Sequence, residues 1–127
     1  FHVVAWATEA LDAVRRQVWH TARRAGASGH AKDLKGARYA LWKNPEHLTN
    51  RQRAKLAWVA TLNGPLYRAY LLKEQLREVF ALRGEAGIAL LDRWLAWAAR
   101  CRIPAFVELA RRIRKNRGRD PVWWTPN

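Results

Sequence analysis

Apolar residues recur along almost the whole chain at the spacing of α-helices, and no stretch of useful length alternates apolar with polar residues. The longest periodic segment covers residues 3–25, where apolar side chains repeat every three to four positions. Its stripe consists of Val3, Ala7, Leu11, Val14 and Val18. The pattern predicts a long first helix that ends at the glycine-containing stretch 26–29.

Two further helices are predicted in the next third of the chain. The second covers residues 30–42, and it ends before Asn44-Pro45 because the residue before a proline is disfavoured in helical geometry. Gly36 inside it costs about 1 kcal/mol relative to Ala, which suggests that another backbone comes close there, the alternative being a glycine without a packing role. The third helix begins after Thr49, where Thr49 and Gln52 have the spacing of a capping box.

Prolines mark the starts of two of the remaining three helices. Pro65 suits the first turn of a fourth helix that continues to about residue 82, and Pro104 opens a sixth that continues to about residue 116. The fifth covers about residues 85–100. Six helices with short links predict an all-α, single-domain bundle over residues 1–116. Residues 117–127 are predicted to form an irregular tail.

The size and the tryptophan content allow a packed core. A domain of 127 residues buries roughly two-thirds of its unfolded surface, and half of the residues are apolar. Eight residues are Trp, which most simply fill the core. The alternative is that some of them form a contact surface for nucleic acid or for a partner protein.

The charge points to a polyanionic partner. Lys and Arg number 24 against 10 Asp and Glu, so the net charge is +14. Such a field attracts polyanions, which makes nucleic acid the first candidate. An anionic membrane surface and a domain that is merely basic are the two alternatives.

Other sequence signals favour a reducing cytoplasm. Cys101 is the single cysteine, so no disulfide can form within the chain. No apolar run reaches the 18 residues that a membrane span needs, and no signal-peptide pattern is present. The chain begins Phe1-His2-Val3-Val4 and contains no Met, which we interpret as an internal piece of a longer protein.

Catalytic and metal-binding patterns are weak. Four histidines share no metal-ligand spacing with one another or with Cys101, so a structural role is favoured for each: His2, His20, His30 and His47. Cys101 is favoured as a small core residue over a reactive thiol between two arginines. Glu74 and Glu78 lie one helical turn apart, but Lys73 and Arg77 beside them favour a solvated, charge-balanced face over a Mg²⁺ site.

Basic clusters are the strongest functional signal. They lie on the second helix, at the start of the third and along the sixth, and each Lys or Arg on a phosphate adds about one unit to the salt dependence of binding. We predict that they contact DNA phosphates. The predicted set is Lys32, Lys35, Arg38, Lys43, Arg51, Arg53, Lys55, Arg111, Arg112, Arg114 and Lys115.

Three ordered strings carry a family resemblance over residues 1–115. They read LKGARYALWKNPEHLTNRQR, AYLLKEQLREVF and WLAWAARCRIPAFVELARRIRK. Together they closely resemble the DDE transposases of the ISL-three insertion-sequence family. The resemblance implies a parent enzyme with an RNase H-like catalytic domain, whose two Asp and one Glu bind two divalent metals such as Mg²⁺. It also implies that this chain is the helical insertion between the second Asp and the Glu.

The resemblance places no catalytic carboxylate in this chain. FHVV is similar to the stretch just after the second catalytic Asp, which puts His2 at the edge of the active site. The end GRDPVWWTPN departs from the family pattern, so the Glu matches no residue here. We therefore expect no catalytic, metal or cofactor site in this piece, with Mg²⁺ confined to the intact parent. An autonomous nuclease or strand-transfer enzyme is the least favoured hypothesis.

The resulting functional prediction is a non-catalytic helical region of a bacterial transposase. It is expected to contribute to DNA binding and assembly during transposition, with transposon-end duplex DNA as one partner. The rest of the transposase or a second subunit is the other expected partner. The alternative is a structural or assembly module with a Trp-rich protein-protein surface and no independent DNA binding.

Overall fold

A computed structural model of the chain describes residues 2–26, 28–82 and 84–117, and within these ranges it contains helices and no strand. The helices are α1 (His2–Arg24), α2 (Ser28–Gly36), α3 (Arg38–Trp42), α4 (Asn50–Leu62), α5 (Gly64–Ala81), α6 (Gly84–Ala99) and α7 (Pro104–Arg117). A short 3-10 turn at Pro45–His47 separates α3 from α4. The all-α class predicted from the apolar spacing is confirmed. Residues 118–127, most of the predicted tail, lie outside the described ranges.

The predicted second helix is divided into α2 and α3 at Ala37. The Ala37 N–H donates to both Asp33 O at 3.0 Å and Leu34 O at 3.2 Å, and its ψ of −12° departs from the α-helical value. Because the same N–H also bonds to the carbonyl three residues earlier, the helical turn at this point is tighter than in a regular α-helix. α3 then continues for only five residues before the chain extends toward Pro45.

Gly36 does not mark a close approach of two backbones, so that part of the prediction is wrong. A Cβ built on Gly36 would have no neighbour within 4 Å. The glycine instead ends α2 beside the bend at Ala37. Its cost to the helix is therefore not offset by a packing contact.

α1 is the central helix of the bundle, and it packs against α2, α5 and α7. Val3, Ala7 and Leu11 are completely buried, as the apolar stripe predicts. Val14 and Val18 are only partly buried and line shallow apolar grooves on the second half of α1. The dense core therefore lies around the first half of α1.

Two polar contacts fix helices around this core. The Trp94 indole N–H donates to Leu72 O at 2.8 Å, which joins α6 to α5 in the interior. The Lys73 ammonium donates to Leu41 O at 2.7 Å, which joins α5 to the end of α3. Both donors are buried, so each satisfies a polar group that would otherwise be costly to enclose.

α1 and α7 run in opposite directions along each other. Trp6, near the start of α1, contacts Arg112 near the end of α7, and Ala13 shares a groove with Ala105 at the start of α7. The start of α1 and the end of α7 therefore lie at the same end of the bundle.

Candidate nucleic-acid interface

The predicted phosphate-contacting residues lie on the surface in two regions. One region comprises α2, α3 and the first turns of α4, and the other is α7. Ten of the eleven are exposed, and Lys55 is half-buried. Exposure keeps these charges hydrated and available to a ligand, as the prediction requires.

Some of the predicted cations are already engaged within the protein. The Lys55 ammonium lies 3.7 Å from the Asp33 carboxylate and 5.2 Å from the centre of the Trp58 ring. An Arg53 guanidinium nitrogen donates to Pro45 O at 3.4 Å. Both residues therefore also hold α4 against the segments before it.

A cationic groove of about 200 Å³ lies between α1 and the α2–α3 pair. It is lined by Arg15, Arg16, Trp19, His20, Lys35 and Arg38. The bend at Ala37 lies between Lys35 and Arg38, so one cation comes from each of the two short helices. The cationic groove thus combines two predicted residues with two cations of α1 that the sequence analysis did not single out.

Only one carboxylate is paired with the cations of this groove within the described part of the chain. Asp12 accepts from Arg15 Nε at 2.9 Å and also contacts Arg16 Nε at 3.3 Å. Arg15 is buried, with 8 % of its surface exposed, whereas the Arg16 side chain is 61 % exposed. Four cations face one carboxylate, so the cationic groove has a clear excess of positive charge.

Aromatic rings hold guanidinium groups in place on both sides of the cationic groove. The Arg38 guanidinium carbon lies 4.2 Å from the centre of the Trp42 ring and 5.7 Å from that of Tyr39. That of Arg23 lies 5.2 Å from the centre of the Trp19 ring. Stacking restricts a guanidinium while its N–H edge stays free to donate, which suits recognition of a phosphate.

The α7 cluster is organised differently. Arg111 pairs with Glu108 at 3.3 Å, one turn earlier on the same helix. The Arg112 guanidinium lies 3.6 Å from the centre of the Trp6 ring, in a groove that also contains Glu9 and Glu108. Carboxylates thus accompany these two arginines, while Arg114 and Lys115 are exposed beyond them.

Three residues of α1 that were not predicted to contact phosphate have a recognisable spacing in the sequence. Arg16, His20 and Arg23 are spaced by four and three positions, so they share one face of α1. His20 was predicted to have a structural role, and Arg16 and Arg23 were not among the predicted phosphate-contacting residues. The side chains of His2 and His30 lie outside what the structure describes, so the placement of His2 at an active-site edge stays a prediction.

The described carboxylates do not fit a Mg²⁺ site. Among the described residues, no group of three or more His, Cys, Asp and Glu could hold a metal ion. Glu74 is largely buried and contacts Lys73 at 2.6 Å and Arg77 at 3.0 Å, so it faces cations and not a second carboxylate. Glu74 therefore does not lie on a solvated face, although Glu78 is exposed.

The tryptophans serve both the core and the surface. Trp94 is completely buried, four others are partly buried, and Trp97 is 36 % exposed, while Trp123 and Trp124 lie outside the described ranges. Ile88 and Trp97 are exposed on α6, but nine residues of helix place them on opposite sides. The exposed apolar residues of α6 therefore do not form one face. None of the described helices is both long and apolar enough to cross a membrane.

Comparison with known proteins identifies the family. A family model of DDE transposases of the ISL-three type, described as "Transposase", matches residues 1–122. The chain belongs to this transposase family. The recognition based on the three sequence strings is thereby confirmed.

Two curated relatives support the same assignment. Both are described as the transposase for insertion sequence element IS1557, one from Mycobacterium tuberculosis strain CDC 1551 / Oshkosh and one from strain ATCC 25618 / H37Rv. Each is 57 % identical over 136 aligned positions, which cover 92 % of this chain and 31 % of the relative. The chain thus spans about a third of the length of these transposases. No solved structure matches the chain.

Proposed function

We propose that this chain is a helical region of a bacterial insertion-sequence transposase that binds duplex DNA through its phosphates during transposition. The observation that carries the proposal is the cationic groove, where Lys35 and Arg38 have no ion-pair partner among the described residues. Membership of a transposase family makes DNA the fitting polyanion. In this proposal the carboxylates and the Mg²⁺ of the chemical step belong to other parts of the intact transposase.

Phosphate contacts give binding a characteristic dependence on salt. Each neutralised phosphate releases condensed counterions, so the logarithm of the affinity falls by about 0.9 per phosphate for each tenfold rise in salt. Such contacts position the protein without reading the base sequence. The proposal therefore predicts binding that depends strongly on salt and weakly on sequence.

The test is fluorescence anisotropy with labelled duplexes, one carrying a transposon-end sequence and one of scrambled sequence, between about 50 and 200 mM salt. We expect six or more phosphate contacts, hence a loss of affinity of about a thousandfold or more across that range. A flat dependence on salt, or no binding at the lowest salt, would contradict the proposal. Cleavage of the duplex on addition of Mg²⁺ would contradict the assignment of the chemical step to other parts of the transposase.

The assembly alternative predicts a different result in solution. A Trp-rich contact surface would make the chain self-associate with concentration while DNA affinity stays low. Sedimentation velocity at several concentrations, with and without duplex, separates the two functions. We expect the mass of the sedimenting species to increase when duplex is added and to stay constant when only the protein concentration is raised.

A further inference from the structure

We propose that the cationic groove is a phosphate-binding site, and that in the DNA complex its ligand is a phosphate of the nucleic-acid backbone. The second part rests on the proposed function, while the first part is a property of the isolated chain. Arg15, Arg16, Lys35 and Arg38 supply the charge, and His20 also lines the groove. Neither Arg16 nor His20 was among the phosphate-contacting residues predicted from the sequence.

The volume of the groove suits a small anion. A volume of about 200 Å³ leaves room for a tetrahedral phosphate together with bridging water. The groove is open to solvent, so an anion that remains attached to a polymer can enter. Its walls come from α1 and from both short helices, which places donors on more than one side of the ligand.

Arg38 and Arg15 are held by contacts that leave them able to donate, and Lys35 has no competing partner in the described part of the chain. Arg38 is stacked on Trp42, so its guanidinium plane is restricted while its edge is free. Arg15 is buried and anchored by Asp12, so it supplies fixed charge at the base of the groove. Lys35 is exposed and has no carboxylate partner among the described residues, so a phosphate would not have to displace one.

The α7 cluster is a weaker candidate for the same role. Glu108 pairs with Arg111, and the groove that contains Arg112 also contains Glu9 and Glu108. An incoming phosphate would meet these carboxylates at the same time as the arginines, and like charges at short distance oppose binding. Asp12, the one carboxylate paired with the cations of the groove among the described residues, is not part of the groove lining.

A triple variant tests the site by its charge. Arg16→Gln, Lys35→Gln and Arg38→Gln remove three lining cations, and the matched control carries Arg68→Gln, Arg93→Gln and Arg100→Gln on exposed positions of α5, of α6 and just after α6. We expect the groove variant to lose tenfold or more in duplex affinity and to lower the salt slope by about one unit or more. The control variant is expected to keep the wild-type slope. Circular dichroism verifies that both variants retain their helices.

A change of opposite sign provides a second test. Asp12→Asn removes the carboxylate that partly neutralises Arg15 and Arg16, so we expect phosphate and duplex to bind more tightly. A general loss of folded protein would weaken binding in this variant as well, so an increase separates the electrostatic role from a structural one.

NMR titration of the 127-residue chain separates the two parts of the proposal. With inorganic phosphate, we expect shifts confined to the Trp19 indole, His20 and the backbone amides near Lys35. With a short duplex the same signals should move. Shifts with phosphate but no duplex binding would leave the site standing and remove the DNA function. Duplex binding that leaves these signals unmoved, with phosphate still shifting them, would assign the groove to free phosphate and overturn its DNA role. No shift with either probe, or equal losses in the groove and control variants, would overturn the site.

Discussion

Burial changes the pKa values of two neighbouring residues of α5, Lys73 and Tyr70. Lys73 is 3 % exposed, yet its ammonium contacts Leu41 O and Glu74. Burial lowers the pKa of Lys73, and the hydrogen bond to Glu74 partly opposes that change. Burial, followed by the charge of Glu74, raises the pKa of the neighbouring Tyr70 to about 12. The charged amine of Lys73 is thus enclosed where a carbonyl oxygen accepts its hydrogen bond and a carboxylate balances its charge.

Tyr70 is predicted to make the fold sensitive to alkali. An unfolded tyrosine loses its proton near pH 10, whereas folded Tyr70 keeps it up to about pH 12. Between these values the folded chain binds more protons, so the free energy of unfolding falls as pH rises. Tyr70→Phe should remove up to about 2 kcal/mol of this pH-dependent decrease in the free energy of unfolding. Urea unfolding at pH 9 to 12 measures the decrease. Tyr39→Phe, at a position that is 62 % exposed, is the control and should change nothing.

Two glycines are predicted to respond to alanine in opposite directions. Gly36 ends α2 with open space where a Cβ would lie, so Gly36→Ala should stabilise the fold by about 0.5 to 1 kcal/mol. Gly26 has a φ of +79°, which an alanine adopts only at a cost, so Gly26→Ala should destabilise by about 1 kcal/mol or more. Thermal unfolding of the two variants side by side checks the signs. The same sign for both would contradict the structure.

At the scale of elements, side-chain caps fix where α4 and α5 begin. Thr49 accepts from the Gln52 N–H at 3.2 Å, and Gln52 Oε1 accepts from the Thr49 N–H at 3.0 Å, which completes a capping box. Asn63 ends α4 and also caps α5, because its side chain accepts from the Leu66 N–H at 2.9 Å. One residue therefore serves two helices.

Loss of these caps has a predicted cost. Thr49→Ala and Asn63→Ala should each lower the free energy of unfolding by about 1 kcal/mol, because each leaves a helix-start N–H without its acceptor. Thr61→Ala is the matched control, since the Thr61 hydroxyl only donates to Trp58 O within α4. We expect the control to be neutral or slightly stabilising in urea unfolding. If Thr61→Ala lowered the free energy of unfolding as much as the two cap variants, the loss in those variants would not come from the hydrogen bonds at the helix starts.

Local signals explain why the helices were predictable and the groove was not. The Thr49 box, Pro65 and Pro104 act within a few residues, so they mark helix starts in the sequence itself. The bend at Ala37 depends on a shared hydrogen bond, and no residue type in the sequence predicts that bond. The pairing of Arg16 with Lys35 and Arg38 depends on how α1 meets α2 and α3, and apolar spacing does not specify that orientation.

At the scale of the whole molecule, the depth of burial differs between the two halves of α1. Leu11 is completely buried, whereas Val18 is partly exposed and lines two shallow apolar grooves. Leu11→Ala should therefore cost about 2 to 5 kcal/mol, with Val18→Ala costing about 1 kcal/mol or less. Urea unfolding of both variants measures the difference. Equal costs would mean that the core extends along all of α1.

Because α1 and α7 run in opposite directions, this region can connect to a neighbouring domain at one end of the bundle. Since Trp6 contacts Arg112, the start of α1 and the end of α7 lie at neighbouring points. A short peptide bridge could therefore close the chain into a ring, and reopening it between α3 and α4 would give a circular permutant with the same helix packing. A unit with adjoining entry and exit can also be spliced into a host domain without forcing the host strands apart.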